Sequence, residues 1–183
     1  MHQDGDDSRI CFNIQHIRTM IEITKLASDR WEEYRELRLE ALKQDPTAFG
    51  SSFEEEQDMP EETWQKRITN ALFAVSDGKP IGLITWVQGD RIKTRHTSYI
   101  NSTYVTETFR GQGVGSKLMT AALDSIKAHK EILKIRLSVI ASQEQAFKLY
   151  SGFGFQIIGT AKNELFVNGH YYDEILMEKC FDA

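Results

Sequence analysis

Residues 109–118 read FRGQGVGSKL, with glycines at 111, 113 and 115 behind Arg110. Alternating glycines let backbone turn tightly and let a ligand approach it closely. The flanking residues constrain the turn further. TSYINSTYV (97–105) precedes it as a strand, with Ile100 and Val105 among its apolar members. After it, Val114, Leu118, Ala122 and Ile126 recur every four positions, which marks a helix with one buried face. A strand, a glycine loop and a helix in that order expose backbone N–H groups at a helix N-terminus, an arrangement that binds anions.

The loop does not fit two familiar anion binders. A P-loop ends in Gly-Lys-Ser/Thr, and here the order is Gly115-Ser116-Lys117. A dinucleotide fingerprint needs a third glycine where Ser116 stands, and several further βα units. The rest of this chain supplies one short βα pair and a hairpin. Two readings are left open by the loop alone. It is a cradle for a pyrophosphate, with Arg110 adding a charge-assisted contact, or it is a turn that only joins strand to helix.

The remaining chain frames the loop. IEITKL (21–26) alternates as a half-buried strand does. Ser28 is placed to cap a helix over 29–43, where Trp31, Tyr34, Leu37 and Ala41 keep helical spacing until Pro46. Residues 48–60 read as an acidic loop, and 61–70 as a helix around Trp64 and Ile68. ALFAVS (71–76) and IGLITWV (81–87) are strands joined at Asp77-Gly78, a hairpin signal. ILKIRLSVI (132–140) is a strand. Ser142 and Gln145 predict a capping box for a helix carrying Ala146, Leu149, Tyr150 and Phe153 on one face, closed by Gly154. FQIIGTA (155–161) and YYDEILMEK (171–179) pair across Asn168-Gly169. The order β-α-α-β-β-β-α-β-α-β-β predicts an α/β chain with one mixed sheet flanked by helices.

Composition narrows the class. The 183 residues suit one domain with a full hydrophobic core. A net charge of −5 argues against a general nucleic-acid binder. Cys11 and Cys180, near opposite ends, suggest no disulfide framework and fit a reducing, cytoplasmic setting. No apolar run of about 18 residues predicts a membrane span. His96, His129 and His170 lack metal-ligand spacing, so no metal is expected. Residues 1–19 are polar and interrupted, without a signal-peptide core. They read as an N-terminal extension to a single domain over 20–183, with an edge strand at 10–14 as the competing reading.

Two blocks carry a resemblance. Arg110-Gly111-Gln112-Gly113-Val114-Gly115 matches the R/Q-x-x-G-x-G/A signature of the GNAT superfamily of acetyl-CoA-dependent N-acetyltransferases. AFKLYSGFGF (146–155) resembles that family's A-x-x-LY-x-x-x-GF segment. R-x-x-RLEAL (35–42) and PTAFGSS (46–52) look like the first helix and loop of many bacterial members, and the element order matches from about 20 to 179. The resemblance implies a GNAT-like fold: a mostly antiparallel mixed sheet of about seven strands with about four helices.

It also implies a site. The amides from Gly111 through Gln112, Gly113, Val114 and Gly115 to Ser116 would hold the pyrophosphate of acetyl-CoA, with Arg110 beside them. Thr103, Tyr104 and Val105 correspond to the segment that pairs with the pantetheine arm, and strands 97–105 and 132–140 would splay apart. Tyr150 matches the tyrosine that gives a proton to the departing thiolate. Gln143 stands where many relatives have a cofactor-contacting Asn. Ser138 stands where some relatives carry a Glu base, so the base is unassigned and a water-mediated relay is expected; Glu107, just before the loop, is a carboxylate that could serve but reads rather as an exposed strand-end residue. The implied activity is direct acetyl transfer in a ternary complex, since the motifs hold no obvious nucleophile. The acceptor is a small-molecule amine, with a protein or peptide amine as the second option and a homodimer compatible with the fold. A non-catalytic acyl-CoA-binding regulatory module is the alternative. The acids at 54–56, 58, 61 and 62 read as a solvated face.

Overall fold

The computed structural model describes residues 20–181. The extension at 1–19, the alternative strand at 10–14 and Cys11 lie outside the described residues.

Among the described residues, seven strands form one sheet in the order β1-β2-β3-β4-β5-β7-β6. They are β1 (Ile21–Thr24), β2 (Ala71–Ser76), β3 (Lys79–Gln88), β4 (Thr97–Val105), β5 (Lys134–Ile140), β6 (Gln156–Val167) and β7 (His170–Cys180). Every pairing is antiparallel except β4 with β5. Both anticipated hairpin turns form, with Asp77-Gly78 and Asn168-Gly169 all at positive φ. That is the two-residue geometry which follows strand twist.

Among the described residues, five helices flank the sheet: α1 (Trp31–Gln44), α2 (Phe53–Glu56), α3 (Glu61–Ile68), α4 (Val114–Lys127) and α5 (Glu144–Gly152). Alternation along the central strands sends side chains to two cores. Leu72, Ala74 and Ile84 pack with α4 residues such as Leu118, Met119 and Ile126, and Tyr150 of α5 joins that cluster. Ala71, Phe73, Leu83 and Tyr104 pack with Tyr34, Leu37 and Ala41 of α1 and with Trp64 and Ile68 of α3.

Three local expectations are corrected. The acidic segment 48–60 contains α2, because Ser52 and Glu55 form a reciprocal capping box there. Ser28 caps no helix; it lies in a 3₁₀ turn over Ser28–Arg30 that leads into α1 without a side-chain cap. Ser142 and Gln145 form no capping box, since α5 begins one residue later with Gln143 at its N-cap.

The parallel ladder between β4 and β5 is short. It pairs Thr97, Ser98 and Tyr99 with Lys134, Ile135 and Arg136, and then stops. β4 continues to Val105 and β5 to Ile140. The two strands therefore part in mid-sheet, as the resemblance implied.

Candidate active site

The glycine loop sits beyond the end of β4. A 3₁₀ turn over Glu107–Phe109 leads into it, and Gly113 is the N-cap of α4. Gly111 and Gly113 have φ of 74° and 78°, a left-handed conformation open to glycine at little cost. No side chain caps α4. The first intrahelical bond runs from Lys117 N to the Gly113 carbonyl at 3.1 Å. The amides of Val114, Gly115 and Ser116 thus open the helix without a helical acceptor, at the positive end of its dipole.

A cavity of about 840 Å³ lies over this helix start. Its lining includes Thr103, Tyr104 and Val105 of β4, then Arg110, Gly111, Gly113, Val114, Gly115 and Ser116, and Gln143 at the head of α5. Ten of the expected site residues are thereby brought together. Gln112 is not in the lining; its Nε2 turns back to donate to the Thr108 carbonyl at 3.0 Å.

Tyr150 lines a second, inner cavity of about 190 Å³. This space occupies the opening between the strands, with Asn101, Ser102 and Thr103 of β4 on one side and Leu137, Ser138 and Val139 of β5 on the other. Ala48, Thr103, Gln143, Ala146 and Leu149 border both cavities, so the outer cavity leads into the sheet. Burial pushes the Tyr150 phenol up from its ordinary value, while the nearby Thr103 hydroxyl pulls it slightly back. The two hydroxyls lie close without meeting hydrogen-bond geometry. Thr103 Oγ1 is buried and has no hydrogen-bond partner among the described residues.

Arg110 is already engaged. It donates from Nε to the Val105 carbonyl at 2.8 Å and from Nη2 to Asp45 Oδ2 at 2.6 Å. Its guanidinium also lies 5.5 Å from the centroid of the Tyr104 ring. Tyr104 donates to Glu40 Oε1 at 2.7 Å. Burial and that carboxylate push its phenol well above the usual range. Arg110 is thus a brace between α1 and the end of β4, as well as a cation at the loop.

Sequence reasoning passed over one residue here. Glu174 of β7 lines the inner cavity. Its signal in YYDEILMEK was the alternation that sends it away from Ile175, but sequence alone could not show that β7 would lie next to β5. Ser138, on β5, is exposed and close to it. Glu107 lies on the 3₁₀ turn, exposed and outside both cavities.

The donor set suits acetyl-CoA: free helix-start amides for a pyrophosphate, an open strand edge for an amide-bearing arm, and an unpartnered buried hydroxyl deep in the gap. Among the described residues, no group of three His, Cys, Asp or Glu side chains is arranged to hold a metal.

Residues 24–155 match the acetyltransferase (GNAT) family, and the chain belongs to that family. It is an acyltransferase, and the family uses acetyl-CoA. Among characterised relatives, the L-amino acid N-acetyltransferase AaaT of Escherichia coli (strain K12) is 28% identical over 121 residues, 63% of this chain and 74% of that enzyme. The spermidine N(1)-acetyltransferase of the same strain is 27% identical over 101 residues, 55% of this chain and 53% of that enzyme. The fold is shared with a GNAT-family acetyltransferase from Streptococcus pneumoniae, with a TM-score of 0.79 at 20% identity over 89% of this chain and 100% of that one. It is shared too with YncA of Salmonella typhimurium, solved with its cofactor acetyl-CoA, with a TM-score of 0.77 at 15% identity over 90% and 96% of the two chains.

Proposed function

We propose that this chain moves the acetyl group of acetyl-CoA to a primary amine of a small molecule, by direct attack within a ternary complex. The observation that carries the reading is the early end of the β4–β5 ladder, which joins the cavity over the glycine loop to a polar inner cavity holding Tyr150. The amides from Gly111 to Ser116 hold the pyrophosphate, with Arg110 at the rim. The free edge of β4 at Thr103, Tyr104 and Val105 receives the pantetheine arm, and Gln143 closes the other wall. Bound acetyl-CoA supplies an activated acyl group with a thiolate leaving group.

The residues of the gap then supply the proton chemistry. Tyr150, kept protonated by its burial, is placed to give a proton to sulfur. Among the described residues, neither cavity lining contains a cysteine, which suits attack by the amine itself rather than relay through an acyl-enzyme. A small amine as acceptor is supported by the relatives, whose names give an amino acid and a polyamine as their substrates. The size of the inner cavity supports it as well.

A thiol-release assay tests this. Acetyl-CoA would be offered with amino acids, polyamines, aminoglycosides and peptides. Turnover on one small-amine class is the expected result. Turnover on peptides alone would move the acceptor to a protein amine, and tight CoA binding with no turnover on any amine would make the chain a binding module.

A further inference from the structure

We infer that Glu174 takes the proton from the acceptor amine, as the general base facing Tyr150 across the inner cavity. The inference rests on the acetyltransfer reading and deepens it.

Among the described residues, two titratable side chains line that cavity, Tyr150 and Glu174. They reach it from opposite faces of the sheet. Tyr150 belongs to the core formed with α4 and α5. On β7, Ile175 and Met177 pack into the same core, so strand alternation turns Glu174 to the other face. Its partner across the ladder is Ile140, the last residue of β5. That position lies well past the point where β4 and β5 separate. An amine entering from this face meets Glu174 on its way to the acyl group, while Tyr150 waits on the far side.

Glu174 is also the uncommitted carboxylate of its strand. Asp173 is held by Lys162 and by the amide of Asn163. Glu178 is held by Lys134 and Arg136. Glu174 has no ion-pair partner among the described residues, and no Lys or Arg lines its cavity. The groups that face it are the Ser138 hydroxyl of β5, Glu164 of β6 and, across the cavity, Tyr150. Its half-buried position pushes the carboxyl above its ordinary 4.5; Ser138 pulls it back and the charge of Glu164 adds to the rise. A base that works near neutral pH is tuned in that direction.

The protons balance. An alkylammonium of pKa about 10 gives one proton to the Glu174 carboxylate. Its nitrogen lone pair then forms the C–N bond to the acetyl carbon as the C–S bond breaks. Tyr150 gives its proton to the sulfur and is recharged by the second proton leaving nitrogen. Glu174 releases its proton to solvent. The products are an amide, a thiol and one proton.

Glu174→Gln and Glu174→Asp test the assignment, on the acceptor that the panel identifies. Glu174→Gln is expected to lower kcat by about 10²- to 10⁴-fold, with the Kd for acetyl-CoA unchanged by calorimetry. Glu174→Asp should recover part of the loss. A carboxyl-carbon NMR titration of the free protein should place the Glu174 midpoint above 4.5, and the acidic limb of the wild-type rate profile should follow that titration and vanish in Glu174→Gln. A kcat within about threefold of wild type, a raised KM with kcat intact, or an NMR midpoint at or below 4.5 would each overturn the role. Wild type that binds acetyl-CoA and acetylates no amine overturns the acetyltransfer reading, and the base with it. An active wild type with an equally active Glu174→Gln overturns the base alone.

Discussion

Arg110 bridges to a residue 65 positions earlier in the chain: its Nη2 donates to Asp45 Oδ2 at 2.6 Å. Asp45 follows the last residue of α1, and both partners line the cavity over the glycine loop. The cradle for an anion therefore carries a carboxylate on its rim. Asp45→Asn removes that charge and frees Arg110 to turn toward a phosphate. CoA should bind about two- to fivefold tighter by calorimetry at low salt, with the gain fading at 1 M salt, where the Debye length is about 3 Å. The pair is 43% and 32% exposed, so the melting temperature should move by less than about 3 °C. Weaker CoA binding would mean that Asp45 positions Arg110 rather than competing with the ligand.

Glu56 departs from the solvated face that its acidic run suggested: it is buried and ties the short α2 to the rest of the fold. It receives Nε and Nη2 of Arg38 at 3.0 and 2.9 Å, and Nη1 of Arg67 at 3.0 Å. Arg38 also donates to Ser51 and to Ser102 of β4. Burial would raise the Glu56 carboxyl, but the two guanidiniums and Ser51 outweigh it and hold it at about 2 rather than 4.5. A carboxyl depressed in the folded state stabilises the protein above its unfolded pKa. That contribution, on the order of 3 kcal/mol, is lost as pH falls from about 4.5 toward 2. Glu56→Gln should cost about 3–5 kcal/mol at pH 7, because Arg38 stays buried without its counter-charge. Urea unfolding from pH 7 to 3 should show wild type and variant converging at the acid end. Parallel stability curves would rule the ion pair out as the cause.

The local parts of this fold could be read in the sequence because local chemistry fixes them. Asp77-Gly78 and Asn168-Gly169 dictate two hairpins, and the spacing of Val114, Leu118, Ala122 and Ile126 dictates the buried face of α4. The loop cradle was legible for the same reason, since Gly111 and Gly113 supply φ values that other residues resist. What escaped were relations between distant segments. The insertion of β7 between β5 and β6 brings Glu174 beside Ser138, and neither stretch signals the other. The Asp45–Arg110 and Arg38–Glu56 pairs likewise join positions whose own neighbourhoods look merely polar. Helix starts failed for a smaller reason: Ser28 and Ser142 are competent caps, but turns before α1 and α5 place other residues at the N-cap.

Tyr150 offers a sharper test of the proton donor than of the fold. Phe keeps the ring and its edge contact with Phe155, whose centroid is 6.2 Å away, and removes only the hydroxyl. Tyr150→Phe should lower kcat by about 10²-fold or more while leaving the Kd for CoA within about twofold. Because burial raises the phenol, wild-type kcat should hold to pH values above the ordinary phenol pKa of about 10 before the donor is lost. A rate that is unaffected by the substitution would assign protonation of sulfur to water.

Gly113 separates backbone conformation from space. A Cβ there would meet nothing within 4 Å, yet φ is +78°. Gly113→Ala should therefore cost only the left-handed penalty, about 1–2 kcal/mol, or roughly 2–8 °C in melting temperature. The loop can relieve that strain by rotating φ to a negative value, which swings the α4 amides off their common focus. CoA affinity should then fall by about tenfold or more, beyond what the stability loss explains. Gly152→Ala supplies the contrast. That glycine ends α5, also has nothing within 4 Å of a Cβ, and has no positive φ, so alanine there should leave CoA binding unchanged and stability equal or slightly higher. If calorimetry and thermal melts found the two variants alike, the left-handed turn would not be what aims the amides, and the cradle would have to be held by the rest of the loop.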